Sequence, residues 1–237
     1  MIGANQIPAV QTYGRGLEGL VVGDTAISQI DGKNGRLLYR GYPIEDLTGQ
    51  VTFEQVTYLI LFGEMPDAAQ LENWTAELLR WRQPPAQALE CLRHVPENAH
   101  PLAQFRTMLT VAACHMPEPE NTDLDAQWRR PARILSWTAA LAAGAIRHLE
   151  GGEALPPRKD LGYAANFLFQ ATGLEPSTME SAAFEASLVV QAEHGLHAAA
   201  LAALVVMSTG ADLGSAVLAG MGALSGARHG GANQLAF

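Results

Sequence analysis

The chain has 237 residues, of which 48% are hydrophobic and 16% charged, with a formal net charge of −9. This composition fits one large globular domain, or one and a half smaller ones, and excludes a disordered or low-complexity protein. Basic residues do not cluster beyond Arg129, Arg130 and Arg133, so no nucleic-acid partner is expected, because neutralising phosphates requires grouped Lys and Arg.

Met1 to Tyr13 show no basic start followed by an apolar core, and no signal peptide is expected. The segments from Thr25 to Ile30 and from Arg36 to Arg40 read as two strands. Asp31-Gly32-Lys33-Asn34-Gly35 between them carries Asp-Gly and Asn-Gly turn signals, which predicts a β hairpin within an N-terminal segment 1–50. From residue 51 to 237 the periodicity is helical. Thr52 and Gln55 form a capping box ahead of Phe53, Val56, Leu59 and Ile60, and the helix stops at Gly63 and Pro66.

Asp67 caps a second helix bearing Leu71, Trp74, Leu78 and Leu79, ended by Pro84 and Pro85 before a short helix through Leu89 and Leu92. Pro101 suits the first position of a helix reaching about His115. Met116 to Asp125 reads as a surface loop, and Gly151 to Asp160 as another. Between them a helix is predicted over Ala132 to His148. Further helices are predicted over Leu161 to Thr172 and over Thr178 to Glu193, the latter announced by a Ser177 and Glu180 capping box and closed by Gly195.

The last two helices, His197 to Thr209 and Leu213 to about Ser225, are rich in Ala and Gly, which lets axes approach closely, as in deep cores or subunit interfaces. The apolar run from Ala198 to Met207 is too short to span a bilayer and is broken by a segment containing Asp212, so no membrane span is expected. Cys91 and Cys114 lack Cys-x-x-Cys spacing and imply neither zinc nor a disulfide framework. A reduced cytoplasm is the expected compartment. The fold class is therefore mainly α with a small N-terminal β element.

Three groups of residues carry chemistry. His229 sits in the glycine-rich turn Gly226-Ala227-Arg228-His229-Gly230-Gly231-Ala232-Asn233. There, imidazole and backbone N–H groups would stabilise negative charge developing on an oxygen, although glycine also simply caps helices. Glu193-His194-Gly195 with His197 lacks the i, i+4 spacing of paired zinc ligands, so no metal is expected. His194, read as the end of a helix, would be a cation suited to a carboxylate, or a plain helix-terminal His. Arg36, Tyr39, Arg40, Tyr42, His100 and Arg106 form a basic and aromatic set that either binds anions or is ordinary surface charge. Sequences for dinucleotide, nucleotide-phosphate and serine-hydrolase sites are absent.

Together these segments resemble the citrate synthase family. The resemblance runs through Gly16 to Asp31 (GLEGLVVGDTAISQID), Gly35 to Leu47 (GRLLYRGYPIEDL) and Phe53 to Pro66 (FEQVTYLILFGEMP). His100-Pro101 with Arg106, then Glu193-His194-Gly195, and last His229-Gly230-Gly231-Ala232-Asn233 follow in the family's order. It implies a citrate synthase-like helical large domain over 51–237, a homodimer, and condensation of acetyl-CoA with oxaloacetate to citrate and CoA. No cofactor would be bound permanently, with acetyl-CoA as co-substrate. His229 would hold the thioester carbonyl oxygen as the enolate forms, and His194 would bind a carboxylate of oxaloacetate.

The family's second catalytic His, its proton-abstracting Asp and the arginines that grip substrate fall in segments after the matched part. The resemblance thus implies an acyltransferase whose general base this chain does not carry, the rest being missing, disordered or supplied by a second polypeptide. Within the matched part Gln191, His197 and Ala199 stand where relatives carry His, Asn and Ser, and Ala199 removes the hydroxyl that supports the His of the glycine turn. Two alternatives stay open: a 2-methylcitrate synthase using propionyl-CoA, separated from acetyl-CoA by one methylene worth about 1 to 3 kcal/mol, and a non-catalytic truncated paralogue acting as a dimerisation partner.

Overall fold

The computed structural model describes residues 21–96, 98–116, 129–227 and 229–230. Most of the loop expected after Met116, together with Arg228 and Gly231 to Asn233 of the glycine turn, lies outside the described residues. The hairpin forms as strands β1 (Ser28–Asp31) and β2 (Arg36–Tyr39), paired antiparallel with Ser28 opposite Tyr39 and Asp31 opposite Arg36. Its loop is organised by the Asp31 carboxylate, which accepts from the Asn34 side chain at 2.7 Å and from the Lys33 and Asn34 backbone N–H groups at 3.2 Å. A third strand absent from the sequence reading, β3 (Tyr42–Pro43), folds back on β2 through Arg40 at φ 49° and Gly41 at φ 89°.

Helices follow in short-loop succession: α1 (Ile44–Leu47), α2 (Phe53–Phe62), α3 (Ala68–Arg80) and α4 (Ala86–Glu90), with a 3₁₀ turn over Cys91–His94. Then come α5 (Pro101–Ala113), α6 (Arg129–Leu149), α7 (Tyr163–Thr172), α8 (Thr178–Val190), α9 (Ala198–Ser208) and α10 (Leu213–Leu224). The capping boxes at Thr52 and Ser177 form as read, and Asp67 makes another with Gln70. Each gives two otherwise orphaned backbone donors an acceptor.

Strand β1 begins at Ser28 rather than Thr25, and among the helix boundaries that differ from expectation three bear on packing or on the site. Helix α6 begins at Arg129 rather than Ala132, because Pro131 falls in the first turn, where its missing N–H costs no intrahelical bond. Helix α7 begins at Tyr163 rather than Leu161, and the Tyr163 N–H is taken by the buried Glu54 carboxylate at 2.8 Å. Helix α8 ends at Val190 rather than Glu193, for a reason that bears on the site below.

The principal core lies around α6. Trp137, Leu141 and Ala145 on α6 pack with Met108, Leu109 and Ala112 on α5, Leu92 after α4 and Met221 on α10. Gly144 brings α6 so near α4 that an added Cβ would stand 2.8 Å from Leu89 Cδ2. A second cluster joins the sheet to the helices: Tyr39, Leu47, Val56, Leu59 and Val189. Trp74 and Leu78 on α3 pack with Tyr58, and Trp74 donates to Thr57 Oγ1 at 3.0 Å. Among the described residues no helix is long and apolar enough to cross a membrane.

Helices α9 and α10 form an antiparallel pair at the end of the described chain. Their contact depends on a small residue: a Cβ at Gly220 would sit 3.1 Å from the Ala199 carbonyl oxygen, which is backbone and cannot rotate away. We expect Gly220→Val to wedge this pair apart at a cost of about 1–3 kcal/mol, read as a lower urea midpoint, with a larger loss of amide protection in α9 than in α5.

Candidate functional site

The loop joining α8 to α9 carries Glu193, His194 and Gly195, and its course is set by Tyr39 from the hairpin. Tyr39 is fully buried, and its hydroxyl lies 2.8 Å from the Val190 carbonyl and 3.1 Å from the Glu193 carbonyl. The same oxygen accepts the Glu193 N–H at 3.3 Å. These bonds compete with helical ones, so α8 stops at Val190 and His194 stands in the loop, not at a helix end as expected. The helix-dipole rationale for its charge therefore does not apply. Gly195, at φ 70°, then turns the chain, and its N–H meets both Glu193 carboxylate oxygens at 2.8 and 2.9 Å.

That turn delivers His197 to the N-terminus of α9. His197 is the N-cap itself, in extended backbone geometry with Nδ1 accepting from the Ala200 N–H at 3.4 Å. The sequence reading put His197 inside the helix; the cap position accounts for the difference, since an imidazole nitrogen can serve as the oxygen of Ser or Asp does. At the same end of the helix pair, α10 terminates and the backbone folds over it. The His229 N–H donates to Gly226 O at 2.9 Å and the Gly230 N–H to Leu224 O at 3.0 Å. A Cβ at Gly230 would collide with the Leu224 carbonyl oxygen, which explains the glycine directly after His229.

Antiparallel pairing brings the start of α9 to the end of α10, and His197 and His229 meet there with ring centroids 5.1 Å apart, tilted by 59°. His229 is half-buried, and its Nε2 is shielded from solvent with no hydrogen-bond partner among the described residues. His194 is exposed beside them. Burial first, and then the neighbouring His229, lower the proton affinity of the His197 imidazole against an opposing pull from Glu193, with His194 adding a smaller lowering. Hence His194, His197, His229 and Glu193 share one neighbourhood.

Of the basic and aromatic set, Tyr39 reaches the site loop through its hydroxyl and the others are placed differently. Arg40 is structural, donating to Ile60 O at 2.8 and 3.3 Å and to Ala26 O at 3.4 Å. His100 caps α5 through Nδ1, and Arg36 and Tyr42 are exposed. Arg106 lies on α5 against α10, its Nη1 4.0 Å from where a Gly222 Cβ would stand. No group of three or more metal-ligating side chains with the geometry to hold an ion occurs among the described residues. A cavity of about 760 Å³ opens elsewhere, lined by Thr110, Cys114, Arg130, Met207 and Asp212 among others, and touches none of the four site residues.

The described residues thus form a helical domain that sets an imidazole next to a glycine, beside a Glu-His-Gly loop, at one end of a helix pair. Residues 16–237 match the family described as "Citrate synthase, C-terminal domain". The chain belongs to the citrate synthase family. It is 39% identical to a citrate synthase of Mycolicibacterium smegmatis over 221 residues, 93% of this chain and 58% of that protein. It is 37% identical to a 2-methylcitrate synthase of Mycobacterium tuberculosis over 220 residues, 93% and 56% of the two.

The crystal structure of citrate synthase from Pyrobaculum aerophilum superposes with a TM-score of 0.87 at 33% identity, over 93% of this chain and 57% of that one. A citrate synthase from Thermoplasma acidophilum, in ternary complex with carboxymethyl coenzyme A and oxaloacetate, superposes at 0.86 with 28% identity, over 93% and 58%. The chain thus spans somewhat over half the length of the relatives it matches.

Two outcomes test this geometry. Tyr39→Phe keeps the buried ring and deletes the hydroxyl, leaving the Val190 and Glu193 carbonyls and the Glu193 N–H without that partner. We expect a loss of about 1–3 kcal/mol in denaturant unfolding, with faster amide exchange confined to 191–196. For His197, the depressed folded-state affinity means the unfolded chain binds the proton more tightly. Stability should therefore fall as pH drops through about 6.5. In His197→Asn, which keeps a capping group, that part of the decline should vanish when urea midpoints at about pH 7.5 and 5.5 are compared.

Proposed function

We propose that this chain is the helical part of a citrate synthase-type acyltransferase, condensing a short acyl-CoA with oxaloacetate. The observation that carries the reading is the His229 Nε2: shielded from water, unpartnered among the described residues, and held at the N-terminal end of α9. A buried polar atom without a partner is costly, and a substrate oxygen arriving there would supply one. In its neutral Nε2–H form the imidazole donates to the thioester carbonyl as the α-proton leaves, and the positive end of the α9 dipole favours the same charge. His194, exposed on the adjoining loop, would grip a carboxylate of oxaloacetate.

Proton abstraction requires a base. Glu193, the carboxylate that acts on the His pair, has both oxygens directed to the Gly195 N–H. In this reading the abstracting Asp and the second His belong to the portion of the relatives that this chain does not span. Acetyl-CoA is the acyl donor we favour. Propionyl-CoA, giving 2-methylcitrate, is supported by an identity to a 2-methylcitrate synthase only two points below that to a citrate synthase. A homodimer is the assembly we propose, supported by the apolar outer face of α9, where Leu204, Val205 and Met207 are exposed.

The 237-residue chain, mixed with acetyl-CoA and oxaloacetate, is expected to release CoA no faster than its His229→Ala variant in a thiol-release assay. Joined to the C-terminal portion of the Mycolicibacterium smegmatis enzyme it should turn over, and His229→Ala in that chimera should lower kcat by about 10²-fold or more with a smaller change in KM. Turnover by the chain alone, or a His229→Ala chimera that loses only KM, would overturn this assignment.

A further inference from the structure

We propose that His197 is a positioning residue for His229: locked in one tautomer as the N-cap of α9, its imidazole packs against the His229 ring and fixes the direction in which that ring's Nε2 points. The inference takes its functional meaning from the reading of His229 as the ligand of a carbonyl oxygen, but its geometry stands apart from that reading.

The tautomer follows from the cap. Nδ1 of His197 accepts the Ala200 N–H, so its lone pair is occupied and the neutral ring carries its proton on Nε2. A proton on Nδ1 would confront the Ala200 N–H and remove the cap. Every other group around the ring except one acts in the same direction. The positive end of α9 disfavours a cation at its N-cap, and so do burial and the neighbouring His229 and His194. Glu193 alone pulls the other way, and its carboxylate is held by the Gly195 N–H. His197 is thus a neutral ring with a fixed hydrogen at Nε2.

Packing supplies the rest. The His229 ring has no hydrogen bond at Nε2 among the described residues, so its orientation there is set by what it touches. The ring in contact with it is His197, at 5.1 Å between centroids and tilted by 59°. Ala199, the second residue of the same helix, is buried and has no side-chain hydrogen bond to offer. The resemblance noted above expects Asn and Ser at 197 and 199. This chain instead carries a ring at the first position and a methyl at the second, so a packing contact takes the place of a polar support.

Long-range ¹H–¹⁵N correlation spectra of the full chain labelled with ¹⁵N-histidine test this. The wild type should show His197 as a single Nε2–H tautomer and His229 with one resolved tautomer pattern. His197→Asn keeps a cap but loses the ring, and should collapse the His229 pattern toward the average of two tautomers. His197→Phe keeps a ring but loses the cap that locks it, and should leave the His229 pattern closer to wild type than His197→Asn does. A merely structural capping role predicts the reverse order, with Asn harmless and Phe disruptive.

An unchanged His229 pattern in His197→Asn, or an Nδ1–H tautomer at His197 in the wild type, would overturn the proposal. Acetyl-CoA added to the wild-type chain separates the two ideas. A His229 pattern that depends on the 197 ring but shows no Nε2 shift with acetyl-CoA upholds the positioning and sinks the oxygen-ligand role. A shift with acetyl-CoA, and a pattern indifferent to His197→Asn, does the opposite.

Discussion

A buried tyrosine hydroxyl governs how the candidate site is put together. Tyr39 sits at the end of β2 with no exposed surface, and its oxygen lies within 3.3 Å of three backbone groups of the α8 to α9 loop. One hydroxyl proton serves one of the two carbonyls at a time, while the lone pairs receive the Glu193 N–H. Burial raises the Tyr39 phenol above its ordinary proton affinity, so it stays a neutral donor across the physiological range. The hairpin is in this way a strut whose open end, at Tyr39, decides where α8 stops and where Glu193, His194 and Gly195 stand.

From that fixed loop the chemistry is a matter of which charge the neighbourhood favours. Burial and the neighbouring His229 lower the proton affinity of His197, the Ala200 N–H of α9 meets its Nδ1, and both Glu193 oxygens face the Gly195 N–H. The single Gly195 N–H orients the Glu193 carboxylate without neutralising it, and its charge opposes the lowering of the His197 proton affinity. In the function proposed above, the groups that would meet negative charge developing on a substrate oxygen are the His229 Nε2 and the N-terminal end of α9. Donors fixed in place before the charge develops are what differential stabilisation of an oxyanion requires.

Much of this was legible from residue patterns because the signals were local. The Asp31 to Gly35 turn, the Thr52 and Ser177 capping boxes and the Pro101 start each report a backbone need met within four residues, and all form where they were read. What escaped was non-local. Val190 looks like helix interior until Tyr39, 151 residues away, takes its carbonyl. Tyr163 opens α7 because Glu54, 109 residues away, accepts its N–H. His197 read as a helical residue because His is an uncommon cap, though its place directly before an Ala-rich apolar run was a usable hint. Its contact with His229 needed the helix pairing and could not be had from spacing.

That pairing also explains why two histidines 32 positions apart meet at all. An antiparallel helix pair must bring the first residue of one helix beside the last of the other. Here the 209–212 connection, with Gly210 at φ 81° and the Asp212 cap, makes α9 and α10 such a pair. Two features then set the fine alignment: the Gly220 to Ala199 approach fixes the separation, and the turn after Leu224 fixes how far back the chain reaches. All of them lie on the inner side of the pair or at its ends. The opposite face of α9, with Leu204 and Val205 at least half exposed, contributes nothing to that alignment. A helix apolar on every side is one that expects to be covered, and a surface laid against this outer face would bury it without altering how the two rings meet.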